Sequence, residues 1–159
     1  MERIVNATLF LSALGSGLMA GLFFVFSTCV MTALGRLTPA NGIAAMQSIN
    51  VTILNGVFLG VFMSTALLCL ALIVAWFVGW VPSGGMLVLA GSLLYLAGII
   101  GVTMLVNVPM NDARAAAGPD SSEGAALWKD YLVNWTLWNH VRTIAGIGAL
   151  ASFIIAFRG

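Results

Sequence analysis

Three long stretches of this chain carry no charged side chain. They run from Ile4 to Gly35, from Leu37 to Asn111 and from Thr143 to Phe157. About 20 apolar residues are enough to cross the hydrocarbon core of a bilayer as a helix. Only 7% of the 159 residues are charged, whereas a soluble domain carries about 25%. These runs therefore indicate an integral membrane protein. They exclude a water-soluble monomer and, because the chain is 61% hydrophobic, a disordered chain.

The apolar runs are continuous rather than alternating, as the block from Ala66 to Val74 shows. A membrane barrel would need segments of about ten residues that alternate polar and apolar side chains. The sequence therefore predicts an all-α fold, a transmembrane up-down four-helix bundle that forms a single domain over residues 1–159. The predicted spans are about 4–34, 51–78, 86–108 and 136–157, with a polar loop at 111–130. We expect a multi-pass protein of a bacterial inner membrane, in contact with the lipid bilayer, and homo-oligomer formation stays open.

Local signals refine the helix ends. Thr38 before Pro39 is typical of a helix start, and we expect the helix that begins there to continue into the second span near Val51. Pro109 lacks an N–H group and predicts a kink or an end of the third helix. Only 15 residues separate Arg142 from Arg158, about 23 Å of helix against a core of about 30 Å. The fourth helix must therefore begin before Arg142, which brings this arginine to the membrane interface or below it.

Polar side chains concentrate where an up-down bundle brings four helix ends to the same face of the membrane. They are Ser27, Gln47, Asn50, Asn107, Asn111, Tyr131, Trp135, Trp138, Asn139, His140 and Arg142. Each alone has a simpler explanation, such as an interfacial aromatic belt, an interhelical hydrogen bond or an arginine that extends to the headgroups. Their convergence favours a site, because ionisable groups at membrane depth are costly and are typical of functional positions. We therefore predict one polar pocket.

The residue inventory limits the chemistry. A single histidine, His140, and the lack of a carboxylate inside any predicted span argue against a zinc or two-metal site and against bis-histidine haem. We expect no cofactor, with copper or haem as the alternative. A copper(I) site would use the soft ligands Cys29, Met31, Met46 and Met110 near His140. No glycine-rich phosphate loop or basic patch is present, so nucleic acid is not an expected partner.

Four segments together resemble a known family. They are Phe24-Val25-Phe26-Ser27, Met46-Gln47-Ser48-Ile49-Asn50, Asn107-Val108-Pro109-Met110-Asn111 and Trp138-Asn139-His140-Val141-Arg142-Thr143. In this order they resemble the anthrone oxygenase-like family of small four-helix membrane proteins. The chain departs from the family pattern after Asn111, where another amide and a leucine often follow but Asp112-Ala113-Arg114 stands here.

The resemblance implies a cofactor-independent oxidation, by O2, of an anthrone-type or related polycyclic phenolic substrate to a quinone. In this reading His140 is the base, because imidazole titrates nearest neutral pH, and Arg142 with Asn139 stabilises the substrate anion. The implied substrate-binding residues are Trp135, Trp138, Asn50, Gln47, Asn107, Asn111, Ser27 and Tyr131. The alternatives are a non-catalytic membrane binding or assembly protein and a metal- or haem-binding redox protein.

Overall fold

The computed structural model describes residues 1–81, 85–116 and 122–158, and these residues form five helices and no strand. The helices are α1 (Glu2–Leu34), α2 (Pro39–Thr52), α3 (Gly56–Phe77), α4 (85–116) and α5 (Ser122–Arg158). Four of them, α1, α3, α4 and α5, are long and apolar enough to cross a membrane. This confirms the predicted all-α transmembrane class.

The four long helices form a closed ring. Each of α1 and α4 packs against both α3 and α5, so that helices adjacent in the chain are also adjacent in space. Small residues allow the close approaches. A Cβ atom on Gly146 of α5 would lie 2.9 Å from the Cβ of Ala20 in α1, and a Cβ on Gly98 of α4 would collide with Ala145. Because small residues let membrane helices approach closely, these contacts hold α5 between its two neighbours one turn beyond Arg142.

The second predicted span, 51–78, is wrong at its beginning. Helix α2 ends at Thr52 and α3 begins at Gly56, with a break between them. The side chain of Asn55 accepts hydrogen bonds from the N–H groups of Val57 (3.1 Å) and Phe58 (3.0 Å). Asparagine is among the best N-cap residues because it satisfies the free N–H groups of a first helical turn. The cap therefore starts a new helix where a continuous one was expected, and α2 packs separately against α4 and α5.

Of the expected kink or end at Pro109, the end is wrong, because α4 continues through this residue to Ala116. A wide π-helical turn covers Thr103–Asn107, and an α-helical segment begins at Val108. Pro109 thus lies in the first turn of that segment, where its missing N–H group costs little. The predicted polar loop at 111–130 is helical on both sides. Residues 117–121 of this predicted loop lie outside the described residues.

The described residues form two hydrophobic clusters in the interior. The larger fills the centre of the bundle around Phe23, Leu72, Tyr95 and Phe153. The smaller lies where α1 ends and α5 begins, and we call it the polar-end cluster. Its buried members are Met31, Leu34, Ile43, Met46, Trp128, Tyr131 and Trp135. The candidate site lies between the two clusters.

Candidate functional site

Arg142 lies at the centre of the site and is only 4% exposed. Its guanidinium group donates hydrogen bonds to the side-chain oxygen of Asn139 (2.6 Å) and to the hydroxyl of Thr103 (3.3 Å). The Cζ atom lies 4.3 Å from the ring centroid of Phe23 and 4.9 Å from that of Trp135, which are cation-π distances. Its Nε atom is buried and has no hydrogen-bond partner among the described residues. All the groups that hold this cation are neutral, and within the described part of the chain no carboxylate forms an ion pair with it.

Asn139 holds Arg142 in place from the side of α1. Its amide nitrogen donates to the carbonyl of Phe23 and to the hydroxyl of Ser27, both at 2.7 Å, and the residue is fully buried. Phe23 and Ser27 lie on either side of the start of a π-helical turn, Phe26–Val30. Such turns are rare and occur often at functional sites. The three bonds of Asn139 therefore join α1 to the arginine on α5.

Asn107 and Asn111 join α4 to α5 in a similar way. The side-chain oxygen of Asn111 accepts hydrogen bonds from the hydroxyl of Tyr131 (2.7 Å) and from the indole N–H of Trp135 (2.9 Å). The amide nitrogen of Asn107 donates to the carbonyl of Trp135 at 3.3 Å, while its Oδ1 atom is buried and finds no partner in the described part of the chain. These bonds hold the indole of Trp135 at a defined angle beside Arg142.

The rings of α5 form a stacked row that supports Trp135. The Trp128 and Tyr131 rings are 5.5 Å apart, those of Tyr131 and Trp135 are 6.1 Å apart, and both pairs are nearly parallel. Phe26 of α1 packs against Trp135 at 5.7 Å. Aromatic pairs at these separations are favourable. Trp135 is therefore held from three directions, by stacking, by a ring from α1 and by the amides of α4.

A cavity of about 190 Å³ opens beside Arg142, much larger than the roughly 30 Å³ that one water occupies in the liquid. It lies against α1, α2, α4 and α5 and reaches the break between α2 and α3. Its lining consists of Leu22, Phe23, Phe26, Ile49, Asn50, Ile53, Leu54, Phe58, Thr103, Asn107, Val108, Asn111, Asp112, Trp135 and Arg142. Aromatic and aliphatic groups dominate this lining, with a few polar groups, as in small-molecule sites.

The structure brings most of the predicted site residues together. Asn50, Asn107, Asn111, Trp135 and Arg142 line the cavity itself. Tyr131 and Asn139 do not line it but are hydrogen-bonded to the lining residues Asn111 and Arg142, and Ser27 is bonded in turn to Asn139. Gln47 is half-buried and does not line the cavity.

Two predicted residues, His140 and Trp138, are not at the cavity. Both are exposed, and His140 lies on the outer side of α5. Successive residues of an α-helix are about 100° apart, so His140 lies roughly 200° from Arg142 around the helix. The inward face of α5 instead follows Tyr131, Trp135, Asn139 and Arg142. His140, predicted as the base, and Trp138, predicted to bind substrate, therefore do not line this cavity.

Ten of the fifteen lining residues were not among the predicted site residues, and they include Phe23, Phe58 and Asp112. For Phe23 a signal existed, since it lies four residues before Ser27 and so shares its helix face. Asp112 directly follows Asn111 and was visible only as a departure from the family pattern. Phe58 carries no signal in the sequence, because it enters the site through the break before α3.

The soft ligands proposed for copper occupy different surroundings. Met31 and Met46 are buried in the polar-end cluster and Met110 packs beside it, whereas Cys29 is exposed. Among the described residues, no three His, Cys, Asp or Glu side chains come together as a metal-binding group. Met31, Met46 and Met110 contribute to the hydrophobic packing of this cluster.

Comparison with known proteins gives one assignment. A family model described as anthrone oxygenase matches residues 57–152, which include α3, α4 and the part of α5 that carries Trp135, Asn139 and Arg142. Neither curated proteins nor solved structures gave a match. Since the matched segment covers more than half of the chain, the protein belongs to the anthrone oxygenase-like family.

Proposed function

We propose that the protein is a membrane oxygenase that uses O2 to oxidise anthrone-type or related polycyclic phenolic substrates to quinones, without a cofactor of its own. The observation that carries the proposal is the buried guanidinium of Arg142, which borders an aromatic cavity and has only neutral partners among the described residues. The proposed setting is a bacterial inner membrane.

The charge of Arg142 points to an anionic ligand or intermediate. A buried cation is costly when no opposite charge compensates it. Asn139 and Thr103 supply only neutral acceptors. The positive charge of Arg142 is therefore fully compensated when an anion enters the cavity. An oxyanion that forms during a reaction would gain most from this arrangement, because the cation is already in place before the charge develops.

The rings of the cavity point to a flat apolar substrate. Phe23, Phe26, Phe58 and Trp135 all contribute to the lining. Leu54 also lines the cavity and is 61% exposed, at the break between α2 and α3. In a protein surrounded by lipid, this break provides an entrance for a hydrophobic molecule dissolved in the bilayer.

The chemistry needs no group beyond a base, an anion site and O2. An anthrone is a carbon acid, and loss of its methylene proton leaves an electron pair that is delocalised onto the ketone oxygen, where Arg142 compensates the charge. The carbanion reduces O2 and, with one proton from water, becomes a hydroperoxide. The hydroperoxide then loses water as its O–O bond breaks and the new carbonyl forms. In total, a CH2 group and O2 give a C=O group and H2O.

The proposal is tested by oxygen uptake and quinone formation with the purified protein in lipid nanodiscs and anthrone as substrate. Arg142→Met removes the charge at similar volume, and Arg36→Met serves as the matched control because Arg36 is exposed on the loop after α1. We expect enzyme-dependent turnover that Arg142→Met lowers at least about 100-fold, the size of effect typical of an oxyanion donor, and that Arg36→Met leaves unchanged. Anthrone that binds but does not react would instead favour the non-catalytic binding protein.

A further inference from the structure

The cavity contains one carboxylate among the described residues that line it, and this is Asp112. Asp112 also remains exposed, so it lies at the boundary between the cavity and the outside. Its position on α4 is well defined, because the preceding residue, Asn111, is held by hydrogen bonds from Tyr131 and Trp135. No ion pair joins Asp112 to Arg142 in the described structure, although both line the same cavity.

We infer that Asp112 is the base that removes the proton from the substrate carbon; this rests on the oxidation proposed above. The other polar groups of the lining are asparagine amides, a threonine hydroxyl, an indole N–H and a guanidinium. None of these accepts a proton readily near neutral pH. A carboxylate is a proton acceptor, and it serves as the general base for carbon acids in other enzymes. His140, the other candidate in the sequence, is exposed on the outer side of α5.

The step transfers a negative charge from Asp112 to the substrate, on the side of the cavity where Arg142 lies. The C–H bond of the substrate breaks, an O–H bond forms on the carboxyl group of Asp112, and the electron pair moves into the ring system toward the ketone oxygen. The negative charge thus leaves Asp112 and appears on the substrate, where Arg142 compensates it. Because Asp112 is exposed, its proton then passes to water outside the cavity, which returns the carboxylate for the next turnover.

A second aspartate provides a matched control. Asp130 is exposed on α5 and borders a separate surface depression with Met110, Ala113 and Asn134. It does not line the cavity. Asp130→Asn and Asp112→Asn make the same chemical change at nearby positions, so any difference between the two variants reports on the cavity and not on net charge.

The test is hydrogen–deuterium exchange at the methylene carbon of anthrone, in D2O and without O2, with the protein in nanodiscs and a protein-free sample as blank. Exchange measures proton removal alone. Wild type and Asp130→Asn should accelerate exchange equally. Asp112→Asn should lower the acceleration by a factor of about 100 or more, within the range for loss of a general base, and Asp112→Glu should restore part of it. Quenching of tryptophan fluorescence by anthraquinone checks that each variant still binds the ring system.

Each outcome shows which of the two proposals, the oxidation or the role of Asp112 as the base, is supported and which is overturned. If Asp112→Asn exchanges as fast as wild type while wild type oxidises anthrone, Asp112 is not the base and the oxidation stands. If exchange depends on Asp112 but no quinone forms when O2 is admitted, the base stands and the oxidation fails. If wild type neither accelerates exchange nor forms quinone, both proposals are overturned.

Discussion

Arg142 donates a 2.6 Å hydrogen bond to the side-chain oxygen of Asn139, three residues earlier on the same helix. Through its amide nitrogen Asn139 is in turn bonded to α1, at the carbonyl of Phe23 and the hydroxyl of Ser27. The arginine is therefore positioned by a neighbour whose own place depends on another helix. Loss of this amide should lower the stability of the bundle and also change the position of Arg142 at the cavity.

Asn139→Ala should destabilise the bundle and lower activity. It removes three hydrogen bonds in a buried region, and a buried group that loses its partner costs about 1–3 kcal/mol. We expect a lower thermal unfolding temperature in detergent, slower quinone formation from anthrone, and weaker inhibition of this reaction by anionic ring compounds. Asn134→Ala, an exposed asparagine on the same helix, is the control and should unfold like wild type. Equal unfolding of the two variants would show that the bonds of Asn139 contribute little.

Thr103→Asp should block the site by neutralising Arg142. The Thr103 hydroxyl accepts a hydrogen bond from the guanidinium at 3.3 Å, so a carboxylate there would take the place proposed for the substrate anion. We expect turnover to fall at least about 10-fold, by the loss of an oxyanion-stabilising charge. Thr103→Asn has the same shape without the charge and should keep most of the activity. If both variants behave alike, the effect is steric and the anion site is not supported.

Trp135 should contribute to substrate binding through both its ring and its N–H group. Trp135→Phe keeps an aromatic ring beside Tyr131 and Phe26 but removes the bond to Asn111, which is worth about 1 kcal/mol. Trp135→Leu removes the ring as well. We expect KM for anthrone to rise slightly in the first variant and strongly in the second. A KM that does not change in Trp135→Leu would argue against stacking of the substrate on this ring.

His140→Ala should leave turnover within about twofold of wild type. The imidazole is exposed on the outer side of α5 and does not line the cavity, and surface substitutions away from such features have small effects. Oxygen uptake with anthrone is the measurement. A loss of 10-fold or more would return His140 to the role that the sequence predicted for it.

Asn55→Ala should loosen the start of α3 beside the cavity. The side chain caps the N–H groups of Val57 and Phe58, and replacement of an asparagine cap by alanine costs about 1 kcal/mol. Faster amide exchange at the first turn of α3, measured by mass spectrometry, is the expected result. Asn41→Ala, at an exposed position inside α2, should leave that turn unchanged.

Several features of the site were predictable because they depend on distance along the chain. The shortness of the segment after Arg142 placed this residue inside a longer helix, and α5 does begin far before it, at Ser122. Asn50, Asn107, Asn111 and Trp135 were expected at one end of the bundle, and they line one cavity there. The break before α3 was missed because the sequence is apolar on both sides of it, although Asn55-Gly56 is a recognisable start signal.

The sequence by itself determined that this is a helical membrane protein with four spans, because membrane insertion depends on the count of apolar residues along the chain. Only the tertiary structure decided which side chains face the cavity. In a soluble helix the apolar stripe marks the inward face, but a helix surrounded by lipid is apolar on its outer face too, so the pattern does not define its rotation. That rotation follows from close contacts such as Gly146 against Ala20, which direct Asn139 and Arg142 inward and leave His140 outside.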